Sequence, residues 1–541
     1  MKFQTPFRAL KALATATALL AAPAAAQQPP LEVVRDLTQL DSWGVPARTQ
    51  GLALLPTTLW RETPAAEVEA AFAALPIRFA SPALRRIALR VGASAGPAPL
   101  GADADKATAQ DARLAALAQI GAFAELADIL ANAPDLNARA GVQARTQAAN
   151  LTAGKTEEAC AIIRGRDAPA EDVGYWLKLR TLCFVAIKEA DAAGLTAELA
   201  LQASPGDEWF FRAVSAAAGR GGDRPPARYD SLLHAAASIL AQLPEPESGA
   251  DFSSPVVALM AAQNPATRPN ARREAVARAF EAGLLAPPIV RDILQSLPAP
   301  GASPRGRKST PGNALHASLR AMQTATTPQA RVAAGIDLVK DAPHDGARLA
   351  RAQLVLFQLG AIPRDAVGED ALKLARIALI AGDQGQARFW AANAPASWDS
   401  ARINADLALA ANASTAATAQ ELIRAAGDVS TQTARAARLL AIADALGADI
   451  GAEGREFLRK ASFAPGKRLA PAQSGPAFRA AAQGQAGLAG LRIAALFGEG
   501  QPREHDIGDV LAVLGALRAS GFDVEARALA IEAAGGAGPL G

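Results

Sequence analysis

The sequence predicts an all-α fold of antiparallel helix pairs stacked in an array. Three observations predict it. Ala, Leu, Arg, Glu and Gln dominate the chain, and all are strong helix formers. Apolar residues recur at spacings of three and four, as in Leu114, Leu117 and Ile120, then Leu126, Ile129 and Leu130. Gly, Pro and Asp-Pro-type breaks interrupt these stretches every 10 to 20 residues, with no alternating Val/Ile/Thr/aromatic runs of the kind that mark strands. Short helices with short connections pack as antiparallel neighbours.

Composition narrows the function classes. Half of the 541 residues are hydrophobic, so the chain can bury a core and is not a disordered tail. Lys and Arg number 55 against 52 Asp and Glu, a formal charge of +3, which argues against a nucleic-acid binder or a polybasic membrane binder. Two Cys and four His cannot build a disulfide-dense scaffold or a Cys/His-rich metal cluster.

The chain opens with an export signal. Lys2, Arg8 and Lys11 form a basic start, Ala12 to Ala22 is apolar apart from Thr, and Ala24-Ala25-Ala26 gives an A-x-A site before Gln27. These features predict a secretory signal peptide over 1–26, cleaved after Ala26. The apolar stretch is shorter than the roughly 20 residues a membrane span requires. The mature protein is therefore expected in the periplasm or outside the cell, with no membrane span.

A repeated pattern follows. Gly121, Gly154, Gly382 and Gly521 each have Glu or Gln four positions on (Glu125, Glu158, Gln386, Glu525) and a small or apolar residue at five (Leu126, Ala159, Ala387, Ala526). Ala133, Ala394 and Ala533 stand at position twelve in three of them. Glycine allows a tight inter-helix turn, and a small residue one turn into the second helix lets its partner come close. Gly121 and Gly154 are 33 residues apart, and a further 34 reaches Lys188, followed by Ala193 and Ala200 in the same frame. This run resembles the tetratricopeptide repeat family, in which a helix pair of about 34 residues recurs. The resemblance covers the second-helix half of the units, from about 105 to 202 and near 370–395 and 510–534. The aromatic and Leu-Gly positions of the family's first helix are mostly missing. What the resemblance implies is an α-solenoid that offers an extended binding surface.

Four stretches rich in Gly and Pro interrupt the helices: 92–105, 219–228, 297–313 and 463–476. The third divides the chain into an N-terminal helical region, 27–297, and a C-terminal one, 314–535, with 298–313 as a linker; a long loop inside one array is the other reading. A glycine-rich tail, 536–541, closes the sequence.

Cys160 and Cys183 fall in successive helices. Export and an even count favour a disulfide between them. Two regular helices turning near Pro169 would offset the pair by about 10 Å at 1.5 Å per residue, beyond bonding reach, unless the connection is skewed. Two buried free thiols are the alternative.

The search for chemistry yields no catalytic residue, cofactor site or metal site. Gly154-Lys155-Thr156 lacks the glycine that a phosphate loop needs five positions earlier, where Ala149 stands. Gly484, Gly487 and Gly490 suit close helix packing rather than a dinucleotide turn. His234, His316, His344 and His505 are scattered, and the carboxylates of Glu504-His505-Asp506 read as a helix N-terminal cap. Trp209 and Phe210 are core anchors or, alternatively, a hot spot for a partner. Arg305, Arg307 and Lys308 form a basic patch on a loop, either solvated or touching an anionic partner.

These readings point to binding rather than catalysis: an exported, non-enzymatic scaffold or adaptor for a protein of the bacterial cell envelope. A second expectation rests on architecture. Exported Ala-rich superhelices are similar to the large non-catalytic region of soluble lytic transglycosylases, which implies a peptidoglycan-associated role.

Overall fold

The computed structural model describes residues 42–535, apart from 48–52, 57, 61, 138, 166, 168, 170–171, 220–223, 301–308, 361, 363–365 and 393. The expected signal peptide and the 536–541 tail lie outside the described residues.

The described chain is all-α. Its N-terminal helices are α1 (Ala65–Ala73), α2 (Pro82–Ala93), α3 (Asp103–Gln119), α4 (Phe123–Asn132), the single turn α5 (Pro134–Asn137), α6 (Ala140–Thr152), α7 (Thr156–Arg164), α8 (Val173–Ala186) and α9 (Ala190–Ala203). The middle holds α10 (Glu208–Ala217), α11 (Leu232–Leu240), α12 (Pro255–Gln263), α13 (Pro269–Glu281), α14 (Pro287–Ser296), α15 (Pro311–Thr324), α16 (Pro328–Lys340), α17 (Asp345–Leu359), α18 (Ala371–Ala381) and α19 (Gln384–Ala391). The last group is α20 (Trp398–Ala410), α21 (Ala416–Ala426), α22 (Ser430–Ala445), α23 (Gly451–Lys460), α24 (Pro471–Ala482), α25 (Ala486–Leu496), α26 (Ile507–Ala519) and α27 (Asp523–Ala533). Among the described residues β pairing is limited to isolated bridges such as Lys467 with His505.

Local chemistry sets the helix starts. Ser81, Ser231, Ser254 and Asp506 each accept a backbone N–H of the helix they open. Proline stands in the first turn of α2, α12, α13 and α14, where its missing N–H costs no helical bond. Asp506 thus plays the capping role expected of the 504–506 triplet.

One turn recurs between paired helices. Gly121, Gly154, Gly382, Gly484 and Gly521 all have φ between +73° and +86°. In the first of them Gly121 N–H donates to the Ala118 carbonyl and Ala122 N–H to that of Leu117. The same bonds recur around each of the others, and this left-handed cap satisfies the last carbonyls of the first helix. Lys188, in frame with the glycines, adopts φ +64° and makes the same pair of bonds. In all six cases the next helix begins two residues later. The residue five positions on is buried every time: Leu126, Ala159, Ala193, Ala387, Ala489 and Ala526. That is the close approach the small residues at this position were expected to allow.

The two ends of the described chain meet. Helix α2 packs on α25 and α27, and α1 packs on α25. An added Cβ at Gly490 would lie 2.6 Å from Phe522 and 3.1 Å from Val91, and one at Gly487 would lie 2.7 Å from Trp60. These glycines of α25 let the N-terminal segment press against it. Polar contacts pin the seam: Arg90 Nη1 to Glu525 Oε2 at 2.9 Å, Arg492 Nη2 to Glu67 Oε2 at 2.7 Å, and Glu532 accepting from Ala83 N–H at 3.0 Å and from the Ser81 hydroxyl at 2.5 Å. Residues 41–541 form one unit, and within it the succession of helices closes on itself.

The cores follow this closure. One hydrophobic cluster joins Trp43–Val142 to Ala405–Ala534, and a second runs from Ala144 to Leu407. Helix α13 packs on α15, the helices that stand before and after the 298–313 stretch, and residues 301–308 lie outside the described residues.

Cys160 in α7 and Cys183 in α8 form a disulfide with a Cα–Cα distance of 5.4 Å.

Candidate functional site

A cavity of about 650 Å³ lies where α2 faces the middle of the chain. Three segments enclose it: the first half of α2, the α13–α14 turn, and the start of α17. Each is held in place by the fold. Ser81 caps α2 while itself bound to Glu532 of α27. The α13–α14 turn is another left-handed cap, with Gly283 at φ +73°. Gly346 N–H of α17 donates to the Ala80 carbonyl at 3.0 Å, tying α17 to the chain just ahead of α2.

The walls differ in chemistry. Leu89, Leu284, Leu285 and Leu349 supply an apolar side, and Arg85 and Arg86 supply two guanidinium groups. Arg85 donates to the Ile120 carbonyl at 2.8 Å. Burial holds its pKa below the usual arginine value, opposed by the more distant Glu125. Arg86 is exposed and forms no ion pair among the described residues.

The acids close by are already occupied. Glu281, which lines the cavity, is held by the Arg351 guanidinium through Nε at 3.0 Å and through Nη2. Asp345 pairs with Arg348 at 2.6 Å and lies 3.4 Å from Arg503. Burial pushes its carboxyl above the usual aspartate value, against the pull of these two arginines. Burial also pushes Glu532 up to about 8, so it keeps its proton at neutral pH. His344 caps α17, its Nδ1 accepting Ala347 N–H at 3.1 Å, and burial lowers its pKa so that the ring stays neutral. The cavity lining therefore carries an excess of positive charge.

Two smaller cavities exist. One of about 220 Å³, between α3, α6 and α12, is lined by Leu114, Phe123, Val142 and Val256, with Arg145 at its edge. The other, about 130 Å³, lies between α18 and α20 beside Arg376 and Arg402. Burial pushes Asp406 there up to about 6, against the pull of Arg402 and Arg376.

The residues singled out in the sequence fall differently. Trp209 and Phe210, read as core anchors or alternatively as a partner hot spot, are 8% and 0% exposed, and Trp209 Nε1 donates to the Pro226 carbonyl at 2.9 Å. Arg305, Arg307 and Lys308 lie outside the described residues. Gly121 is next to the cavity, because its turn presents the Ile120 carbonyl to Arg85 and packs on Leu284. Gly154, Gly382 and Gly521 form turns elsewhere. No group of three metal-ligating side chains occurs among the described residues.

Sequence reasoning did not single out Arg85 and Arg86. They sit on the face of α2 opposite the buried Leu84, Ile87 and Val91, and in the sequence such arginines look like an ordinary solvated face. Against known proteins the chain stands alone: no family model, no curated protein and no solved structure matches it.

Proposed function

We propose that this chain is an exported protein of the bacterial cell envelope that works by binding, as a scaffold or adaptor for another envelope protein, without chemistry of its own. In this reading the helix pairs are tetratricopeptide-like units of a solenoid whose ends have met. The observation that carries the reading is the cavity between α2, the α13–α14 turn and α17, a preformed concave site whose size falls in the range of about 300–1,000 Å³ typical of ligand sites. Rigid helix pairs held on both sides keep its walls in place.

The test is crosslinking in cells with a tagged, exported copy, followed by mass spectrometry. A reproducible envelope protein, lost from an Arg86→Glu variant, supports the adaptor reading. A mature N-terminus at Gln27 tests export and cleavage after Ala26.

A peptidoglycan-associated role is the second reading. The closed succession of helices and the positive lining of the cavity favour it, since wall polymers carry carboxylates. Co-sedimentation with purified sacculi, without any captured protein, decides for it.

A further inference from the structure

We propose that the cavity between α2, the α13–α14 turn and α17 is a small-molecule site for an amphipathic organic anion, a carboxylate or phosphate monoester on an aliphatic body. The inference goes beyond the adaptor reading and does not depend on it.

The argument begins with the two kinds of wall. Leu284 and Leu349 are partly exposed within a cavity otherwise enclosed by three helical segments. An aliphatic chain laid against them removes apolar surface from water on both sides of the contact. An uncharged apolar ligand would satisfy that wall and leave the opposite one with two guanidinium groups facing it.

The guanidinium side selects for an anion. Arg85 is half-buried, donates to the Ile120 carbonyl at 2.8 Å, and has Glu125 near enough to act on it electrostatically without a direct ion pair. A desolvated guanidinium gains more from an anionic acceptor than from a neutral one. Arg86 is adjacent, exposed, and without an ion pair among the described residues. Both residues line the cavity, and a guanidinium fork suits the oxygens of a carboxylate or phosphate.

The acids around the cavity do not cancel this preference. Glu281 is engaged by Arg351, and that pair is buried. Asp345, the first residue of α17, pairs with Arg348 and lies 3.4 Å from Arg503. Glu532 is engaged by the Ser81 hydroxyl and Ala83 N–H, with Arg86 acting on it electrostatically, and it does not line the cavity. An ammonium ligand would find no open carboxylate in the lining and would meet Arg85 and Arg86.

The anchor that holds Arg85 is specific to this place. The Ile120 carbonyl belongs to the turn at Gly121, and Leu284 lies where a Cβ on Gly121 would project, 2.6 Å away. The α3–α4 turn thus touches both the cationic wall and the apolar wall. A change in one wall is mechanically linked to the other.

The test is calorimetric titration of the full mature chain with dodecanoate, dodecyl phosphate, dodecanol and dodecyltrimethylammonium, all below their micelle concentrations. The expected result is binding of both anions at least tenfold tighter than of the alcohol, with no binding of the ammonium ion. Arg86→Ala weakens the anions about tenfold, and Arg86→Glu abolishes them while the far-ultraviolet circular dichroism stays unchanged. Leu349→Asp weakens them through the other wall. Uptake of dodecyl-chain lipid from phosphatidylglycerol vesicles identifies a membrane lipid as the source; binding of hexanoate with no uptake from vesicles identifies a free metabolite. Equal affinity for the anion and the alcohol, or anion binding unmoved by Arg86→Glu, overturns the proposal. If no probe binds but a crosslinked protein is lost on Arg86→Glu, the cavity is a protein site and this inference fails while the adaptor reading stands.

Discussion

Gly121 does two jobs with one missing side chain. Its φ of +77° is strained for any residue with a Cβ, and the space that Cβ would fill is taken by Leu284. Gly382 has the same conformation, φ +84°, but nothing stands within 4 Å of its added Cβ. The pair separates the two effects. Gly382→Ala should destabilise by about 1 kcal/mol through backbone strain alone. Gly121→Ala should lose about 2–4 kcal/mol, because overpacking against Leu284 adds to the strain. Denaturant unfolding of the two variants checks the difference. Lys188 carries the same strain natively at φ +64°, so Lys188→Gly should raise stability by up to about 1 kcal/mol. The disulfide is a third residue-scale term. Reduction, or Cys160→Ser with Cys183→Ser, should lower stability by about 3 kcal/mol in the same assay, since the bond closes a loop in the unfolded chain.

At the scale of elements, α2 depends on α27 for its cap. The Glu532 side chain takes Ala83 N–H and the Ser81 hydroxyl, from the opposite end of the sequence. Burial raises its pKa from about 4.5 to about 8, so the folded chain holds this proton more tightly than the unfolded chain does. The stability it contributes is complete below about pH 4.5 and is lost as pH rises to about 8. Glu532→Gln keeps an amide in place of the neutral carboxyl and should flatten the fall in thermal midpoint between pH 6 and 8. Asp406, raised to about 6, titrates in the same direction, so the variant should keep the part of the slope below pH 6. His344 acts oppositely. Its lowered pKa makes the α17 cap weaken as pH falls below about 6.5.

Elements were also the scale at which the sequence could be read. The helix pairs announced themselves because glycine, the polar position four residues on and the small position five residues on lie within one local window. Lys188 was reachable only through the frame, since a lysine carries no turn signal of its own. Gly484 was read for close packing, which Gly487 and Gly490 provide, while Gly484 itself makes the turn. The cavity was not legible. Arg85 and Arg86 acquire meaning from α13, α14 and α17, which lie some two hundred residues away, and nothing near them in sequence marks that encounter.

For the whole molecule the meeting of α2 with α25 and α27 changes how stability is shared. An open array frays from its terminal repeats, whose outer faces lack a neighbour. Here Leu84, Ile87 and Val91 of α2 and Leu529 of α27 are all at most 1% exposed. Hydrogen exchange should therefore show α2 and α27 protected to a degree similar to α13 and α17, near the middle of the chain. Deleting residues from 523 onward should strip protection from α2 first, although it lies more than four hundred residues away. Equal loss along the whole chain, or loss confined to α26, would count against the closure as a stabilising contact.

The seam also decides how the molecule bears load. If the two ends of the chain are pulled apart, force does not reach a terminal helix pair that can peel away. It shears α2 along α25 and α27, so their side-chain contacts and the Arg90–Glu525 and Arg492–Glu67 pairs resist together. A force trace should begin with one high peak as the seam parts, followed by a train of lower ones as helix pairs unravel. Units of 33 or 34 residues, at about 3.3–3.6 Å per extended residue, lengthen the chain by about 11–12 nm each. The segment between Cys160 and Cys183 stays short until the bond is reduced. Under tension, such a chain behaves as a fastened loop that opens once, at a threshold, rather than as a spring.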